Sequence, residues 1–177
     1  QYSGQILSYT KMQGQLQDAG NTTTLSHYLH VLGTAGLLGG IEKYAFTTIR
    51  QRASSPKLQV YNNALLSAQK NEHLTEILIK PEEWGRIIES AVGSHLINQS
   101  IRSSFSLYYW RDRRDEVDFI IEKQGKIVAI EVKSNYAKTK KGMEAFRSKF
   151  NPHKIYYIDN RNLAWHDFLR IDPLELF

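Results

Sequence analysis

The sequence has no cysteine, only four prolines among its 177 residues, and no long apolar run. Without cysteine there are no disulfides and no thiolate metal ligands, so any metal would need oxygen or imidazole ligands. No apolar stretch approaches the ~20 residues that a membrane-spanning helix requires, and the first residues lack a signal-peptide pattern. We therefore expect a folded cytoplasmic chain that does not contact a membrane.

The composition is that of a globular protein with a moderate excess of positive charge. Hydrophobic residues make up 41% and charged residues 23%, and the formal net charge is +5. This excess favours a polyanionic partner such as nucleic acid, although many ordinary domains are equally basic. The chain begins at Gln1 and has no phosphate-binding G-x-x-x-x-G-K-[ST] loop. We expect it to be a fragment of a longer protein.

The first 80 residues are predicted to form a small helical, winged-helix-like module. Apolar spacing in 6–38 indicates two or three short helices, with N-cap candidates at 21–24 and glycines 39 and 40 near the end. The segment 44–61 alternates like two strands flanking a loop at 53–56, which would be the wing. Its basic tip would carry Arg50, Arg52 and Lys57, unless this is simply a solvated loop. The module either binds DNA or only supports its neighbour.

The second region, 81–177, is predicted to be an α/β domain with the element order αβββαβ. Helical periodicity covers 85–100, strands are indicated at 105–110, 116–122 and 126–133, and a helix over 142–150 precedes a strand at 154–159. Glu89 lies near the edge of the apolar face of the first helix and, on helix evidence alone, has no special status. The tail from 169 is expected to be a final strand or a packing segment.

The register of the predicted hairpin brings acidic residues together. A turn at Gln124 and Gly125 pairs positions whose numbers sum to 249, so Asp118 lies opposite Glu131 and Glu116 opposite Lys133. Strict alternation places these four on one face. The other face would be continuous core, formed by Val117, Phe119, Ile121, Val128, Ile130 and Val132.

Opposed carboxylates on neighbouring strands repel each other, so their charge must be offset. A divalent cation such as Mg²⁺ would offset it, since this ion prefers one or two carboxylates together with waters and a substrate phosphate. Lys133 alone could also do so, as part of an ordinary charged surface. The pattern leaves both explanations open.

The order Glu89 on a helix, Asp118 on a strand and Glu131-Val132-Lys133 on the next strand resembles the PD-(D/E)xK restriction-endonuclease-like superfamily. The resemblance implies a nuclease that depends on Mg²⁺ or Mn²⁺. Asp118, Glu131 and the carbonyl oxygen of Val132 would bind the metal, with Glu89 acting directly or through water. Lys133 would orient the attacking water and stabilise charge in the transition state.

Basic residues flank the hairpin on both sides. We predict that they grip phosphates of a nucleic acid, with DNA favoured over RNA, and the alternative is a solvated basic surface. The residues are Arg111, Arg113 and Arg114 before the hairpin and Lys138, Lys140 and Lys141 after it.

A narrower resemblance covers nearly the whole chain and rests on the phrases PKLQVYNNALL, GRIIESAV, YYWRDRRDEVDFII and IEVKSN. These are similar to the C-terminal domain of unknown function that follows the ATPase module in bacterial and archaeal AAA+ ATPases. The resemblance implies an N-terminal ATPase domain as partner. The sequence departs from the pattern at Asn62-Asn63-Ala64, where relatives tend to have an aspartate before a glycine.

Two other functions remain open beside the nuclease. The chain could be a non-catalytic module that binds DNA or protein beside the ATPase. It could also be the regulatory half of an antitoxin-like or defence ATPase. The oligomeric state is left open.

Overall fold

The chain folds around one mixed β-sheet. The computed structural model describes residues 3–15, 20–47, 49, 51, 54–69, 73–133 and 141–177. In these residues seven α-helices and a short 3-10 helix accompany six strands. Within the same ranges no helix has the length and apolar character needed to cross a membrane.

Within the described ranges, the first half has four helices with defined bounds and two strands. Asn21 caps the helix Thr22–Thr34, because its side chain accepts a hydrogen bond from the backbone of Thr24 at 2.9 Å. The helix therefore begins as predicted, but it ends earlier, and residues 38–40 belong to a strand. The elements are α1 (Tyr9–Gln13), α2 (Thr22–Thr34), β1 (Leu38–Lys43), β2 (Lys57–Val60), α3 (Ala64–Ser67) and α4 (Leu74–Leu78).

Of the two strands predicted in 44–61, the second is present, and the first is not found among the described residues. The second strand is β2, and no described residue between 44 and 56 lies in a strand. The strand that pairs with β2 is β1, which was predicted to be the end of a helix. Residues 50 and 52 of the predicted basic tip lie outside the described residues. Lys57, the third, is not at a tip at all, since its side chain is fully buried.

The second half closely follows the predicted order of elements. Pro81 occupies the first turn of the long helix, where its missing N–H costs nothing. The order αβββαβ is confirmed, and the tail forms a 3-10 helix and not a strand. The elements are α5 (Pro81–Arg102), β3 (Ser106–Asp112), β4 (Asp115–Lys123), β5 (Lys126–Val132), α6 (Lys141–Phe150), β6 (Lys154–Ile158), α7 (Trp165–Phe168) and the 3-10 helix Pro173–Leu176.

The sheet joins both halves of the chain. Its strand order is β2-β1-β3-β4-β5-β6. Strand β1 is parallel to β3 and antiparallel to β2, while β6 is parallel to β5. The predicted boundary near Lys80 falls between α4 and α5, and hydrogen-bonded strands from its two sides form one sheet.

Each face of the sheet covers its own hydrophobic cluster. On one face, apolar residues of α5 such as Val92 and Leu96 pack on Phe119, Ile121 and Ile130. On the other face, Met143 and Phe146 of α6 are joined by residues of β3, β4 and β5. A smaller cluster holds α1 and α2 against Leu58 of β2. The sheet is thus the middle of three layers.

Candidate active site

The β4–β5 hairpin has the predicted register. Gln124 and Gly125 both adopt positive φ, at 51° and 78°, as a two-residue turn between right-handed twisted strands requires. The ladder pairs Lys123 with Lys126 and continues to Phe119 and Ile130. Asp118 and Glu131 are the next residues on their strands beyond that last pair, so the turn places them side by side.

A β-bulge breaks the predicted alternation of β4. On β3 only Tyr109 lies between the paired residues Tyr108 and Trp110, whereas two residues, Asp118 and Phe119, lie between their partners on β4. Val117 therefore packs with the α6-side cluster, while Phe119 packs with α5. The predicted continuous core face from Val117 to Val132 is wrong at Val117 for this reason. Bulges often re-aim side chains next to functional sites.

The bulge directs Asp118 into the middle of a buried cluster. Its Oδ2 accepts a hydrogen bond from the backbone N–H of Val132 at 2.8 Å, which ties β4 to β5. Its Oδ1 lies 3.7 Å from Nζ of Lys57, and Nζ also donates to the Asp118 carbonyl at 3.3 Å. Asp118 thus connects the hairpin with β2 from the first half of the chain.

Lys57 is the site residue that the sequence analysis missed. Its Nζ lies 2.6 Å from Oε1 of Glu89 and 3.9 Å from Oε1 of Glu116, and it stands 4.7 Å from the centre of the Phe119 ring. None of the Lys57 side chain is exposed. A signal was present, because in the short strand 57–60 Lys57 and Gln59 alternate with Leu58 and Val60.

Glu131 and Lys133 form the other side of the cluster. Nζ of Lys133 lies 2.7 Å from Oε1 of Glu131, and the Lys133 side chain is 43% exposed. Oε2 of Glu131 is buried, and within the described residues it has no hydrogen-bond partner. A buried carboxylate oxygen without a donor is costly, so this atom marks a place where a cation would be stabilising.

Burial and mutual repulsion raise the pKa values of the carboxyl groups. Burial, followed by the charge of Asp118, raises the pKa of Glu131 to about 7. The same two causes, in the same order, raise the pKa of Glu89. Burial also raises the pKa of Glu116, against the opposing effect of Lys57. Each group would therefore ionise more readily if another cation came close.

The pKa values of the two lysines are also raised, but from the opposite cause, since charges and not burial raise them. Burial alone would lower the pKa of Lys57, but the charges of Glu89 and Asp118 outweigh it, so the pKa is raised. For Lys133, Asp118 and Glu131 likewise overcome burial and raise the pKa. Both ammonium groups therefore stay charged at neutral pH.

Three of the four predicted catalytic residues thus belong to two separate ion pairs. Glu89 pairs with Lys57, Glu131 pairs with Lys133, and Asp118 lies between them. Among the described residues no group of three or more acidic or histidine side chains is arranged to hold a metal ion. The role of the Val132 carbonyl as a metal ligand remains a prediction.

The basic residues predicted to contact phosphates are exposed where the structure describes them. Arg111, Arg113 and Arg114 lie at the β3–β4 turn, with Nε of Arg111 3.9 Å from Glu116. Lys141 begins α6, whose second residue, Gly142, lies against the backbone of Glu116. These residues therefore share one end of the sheet. Lys138 and Lys140 lie outside the described residues.

Fold and site together define an α/β protein with a largely buried cluster of acidic and lysine side chains that joins α5 to a mixed sheet. Residues 84–177, more than half of the chain, match the family described as "Domain of unknown function (DUF4143)". The chain belongs to this family. Neither a curated protein nor a solved structure matches it.

Proposed function

We propose that this chain is a nuclease-like domain that hydrolyses nucleic-acid phosphodiesters with Mg²⁺ or Mn²⁺, as part of a longer protein with an N-terminal ATPase domain. The observation that carries the proposal is the pair Asp118 and Glu131, which are adjacent across the hairpin. One oxygen of Glu131 is buried and lacks a partner among the described residues. Such a pair needs a cation.

The donor set suits one hard divalent ion. Asp118 and Glu131 would supply two carboxylates, and waters and substrate phosphate oxygens would complete the coordination, as Mg²⁺ prefers. When bound, the ion would polarise the phosphate and acidify a coordinated water. A complete protein cage is not required for this chemistry, which agrees with the small number of ligands.

The chain's own residues would orient the reacting groups. The N–H of Val132 fixes the Asp118 carboxylate, and the partly exposed ammonium of Lys133 lies beside Glu131, where it would reach an incoming phosphate. A positive charge at that point would stabilise the transition state. Arg111, Arg113, Arg114 and Lys141 would hold neighbouring phosphates at the same end of the sheet.

The order αβββαβ supports a restriction-endonuclease-like core for the second half. A long helix precedes three antiparallel strands, and a second helix leads to a strand parallel to β5. The first half would bind DNA or support the core. If the first half is a winged helix, its strands β1 and β2 also extend the central sheet.

One observation favours a non-catalytic binding module as the second candidate. Among the described residues, no group of three or more acidic or histidine side chains is placed so that it could hold a metal ion. If Lys57 and Lys133 neutralise the carboxylates completely, the cluster would need no metal, and the exposed arginines would serve only to bind a polyanion.

A cleavage assay separates the two functions. The 177-residue chain would be incubated with plasmid and single-stranded DNA in Mg²⁺ or Mn²⁺, beside Asp118→Asn and Lys133→Ala. Glu122→Gln on β4 and Lys126→Ala on β5 are matched controls outside the cluster. We expect cleavage by the parent and the controls and at least about a 100-fold loss in the two site variants. Binding without cleavage under all conditions would favour the module.

A further inference from the structure

Among the described residues, Lys57 is a lysine whose ammonium group is fully buried. It is inaccessible to solvent and lies within 4 Å of carboxylate oxygens from three different residues, Glu89, Glu116 and Asp118. A charged lysine is almost never buried unless it is paired. These contacts join β2 to α5 and β4, so Lys57 is held in place by the fold itself.

The position of Nζ excludes a metal ion from the same place. A divalent ion bound to Oε1 of Glu89 would sit about 2.0–2.6 Å from that oxygen. Nζ already lies 2.6 Å from it and also donates to the carbonyl of Asp118. The ammonium and an ion between Glu89 and Asp118 would therefore compete for the same oxygens.

On the β5 side of Asp118, the described residues include no fully buried cation. Oδ2 of Asp118 accepts from the backbone N–H of Val132, and Oε2 of the neighbouring Glu131 is buried and has no hydrogen-bond partner among the described residues. Lys133 neutralises only the other oxygen of Glu131 and is itself partly exposed. An added cation would therefore be stabilised on this side, at the unpartnered oxygen of Glu131.

We propose that Lys57 is a built-in cation that takes the place of a second divalent ion, so that the site binds a single ion, at Asp118 and Glu131. The inference rests on the proposed function and deepens it. Many phosphodiesterases use two metal ions. Here Lys57 is a positioning residue, since it contacts Glu89 and the Asp118 carbonyl, while the N–H of Val132 holds Oδ2 of Asp118 toward β5, the strand that carries Glu131.

The first test counts bound ions by titrating Mn²⁺ into the protein in a calorimeter. The parent chain should bind one ion. Lys57→Gln, which removes the ammonium but keeps a polar side chain, should bind two, and Lys57→Arg, which keeps a cation, should again bind one. Lys126→Gln on β5 is the matched surface control. Far-UV circular dichroism establishes that each variant is folded.

The outcomes separate this inference from the proposed function. One ion in both the parent and Lys57→Gln, with equal affinity, would overturn the role of Lys57 and leave the metal site intact. No ion in the parent but one in Lys57→Gln would overturn both the single-ion site and the metal-dependent nuclease. No ion in either protein would overturn both.

A second test keeps Lys57 in place and does not depend on whether Lys57→Gln folds. If Glu89 is committed to Lys57, Glu89→Gln should weaken Mn²⁺ binding by less than about tenfold, whereas Glu131→Gln should weaken it by more than about 100-fold. Equal losses in the two variants would show that Glu89 is a metal ligand. That result would refute the assignment.

Discussion

Two lysine–glutamate ion pairs flank Asp118. Their N–O distances are nearly equal, but the exposure of the two lysines differs. In the inner pair, Lys57 and Glu89 are 2.6 Å apart and the lysine is not exposed at all. In the outer pair, Lys133 and Glu131 are 2.7 Å apart and the lysine is 43% exposed. Distance alone therefore does not describe an ion pair.

The burial of the lysine decides what each pair does. The inner pair cannot separate without leaving a charge in the protein interior, so it acts as a fixed part of the fold. In the outer pair Glu131 is largely buried but the Lys133 side chain reaches solvent, so Lys133 can exchange Glu131 for water or a phosphate at lower cost. Only the outer pair is suited to binding and release.

The largest expected effect is on the inner pair. Lys57→Met should destabilise the protein by about 3–5 kcal/mol, because Glu89 and Asp118 would keep buried charge without their cation. Urea denaturation measures this loss, with Lys126→Met as a surface control. A loss no greater than that of the control would refute the fixed role of the inner pair.

The outer pair should make stability depend on pH. The pKa of Glu131 is about 7 in the folded chain and 4.5 in its reference state. Between pH 4.5 and 7 the Glu131 carboxyl is ionised in the unfolded chain but still protonated in the folded one. The free energy of unfolding is therefore highest below pH 4.5 and falls as the pH rises to 7. The fall is at most about 3 kcal/mol.

Melting temperatures recorded across this pH range test the dependence. Glu131→Gln has no proton to lose and should show a shallower decline. Added Mn²⁺ should also reduce the decline in the parent, because the ion favours the ionised form. Identical profiles for the parent and Glu131→Gln would assign the dependence to other groups.

A smaller loss of stability is expected from a substitution at Gly142, where α6 packs against the Glu116 backbone of β4. A Cβ at Gly142 would collide with the backbone of Glu116, so Gly142→Ala should cost about 1–3 kcal/mol through overpacking. Gly33→Ala in α2 is the matched control, since its Cβ would make only an ordinary contact at 3.4 Å. Thermal unfolding should show no loss in the control, or a gain of up to about 1 kcal/mol.

The smallest effect on stability is expected for Lys133→Met. A partly exposed ion pair contributes about 0–1 kcal/mol and is screened by salt, so this variant should unfold almost like the parent. The same substitution should nevertheless abolish cleavage. A stability loss as large as that of Lys57→Met would erase the distinction between the two pairs.

The parts of the fold that depend on local pattern could be predicted from the sequence. The turn at Gln124 and Gly125 determines the register of its hairpin, so the adjacency of Asp118 and Glu131 followed from numbering alone. The bulge did not follow, because it arises in the pairing of β4 with β3, where Tyr109 faces two residues.

Features that depend on distant segments were missed. Gly39 and its neighbour suggested a helix end, but they lie in β1, where a Cβ at Gly39 would lie 2.6 Å from Cδ1 of Ile97 on α5. A lysine at position 57 suggested an exposed tip. Its burial becomes favourable only when Glu89 and Asp118 from later parts of the chain surround it.

The location of Lys57 also constrains the order in which the protein folds. Lys57 lies 61 positions before Asp118, whose carbonyl it contacts, so during synthesis the lysine emerges long before its acidic partners. Burying its ammonium group before Glu89 and Asp118 have been synthesised would be strongly unfavourable. We therefore expect β2 to dock on α5 late, together with the β4–β5 hairpin, in a step limited by closure of a long loop.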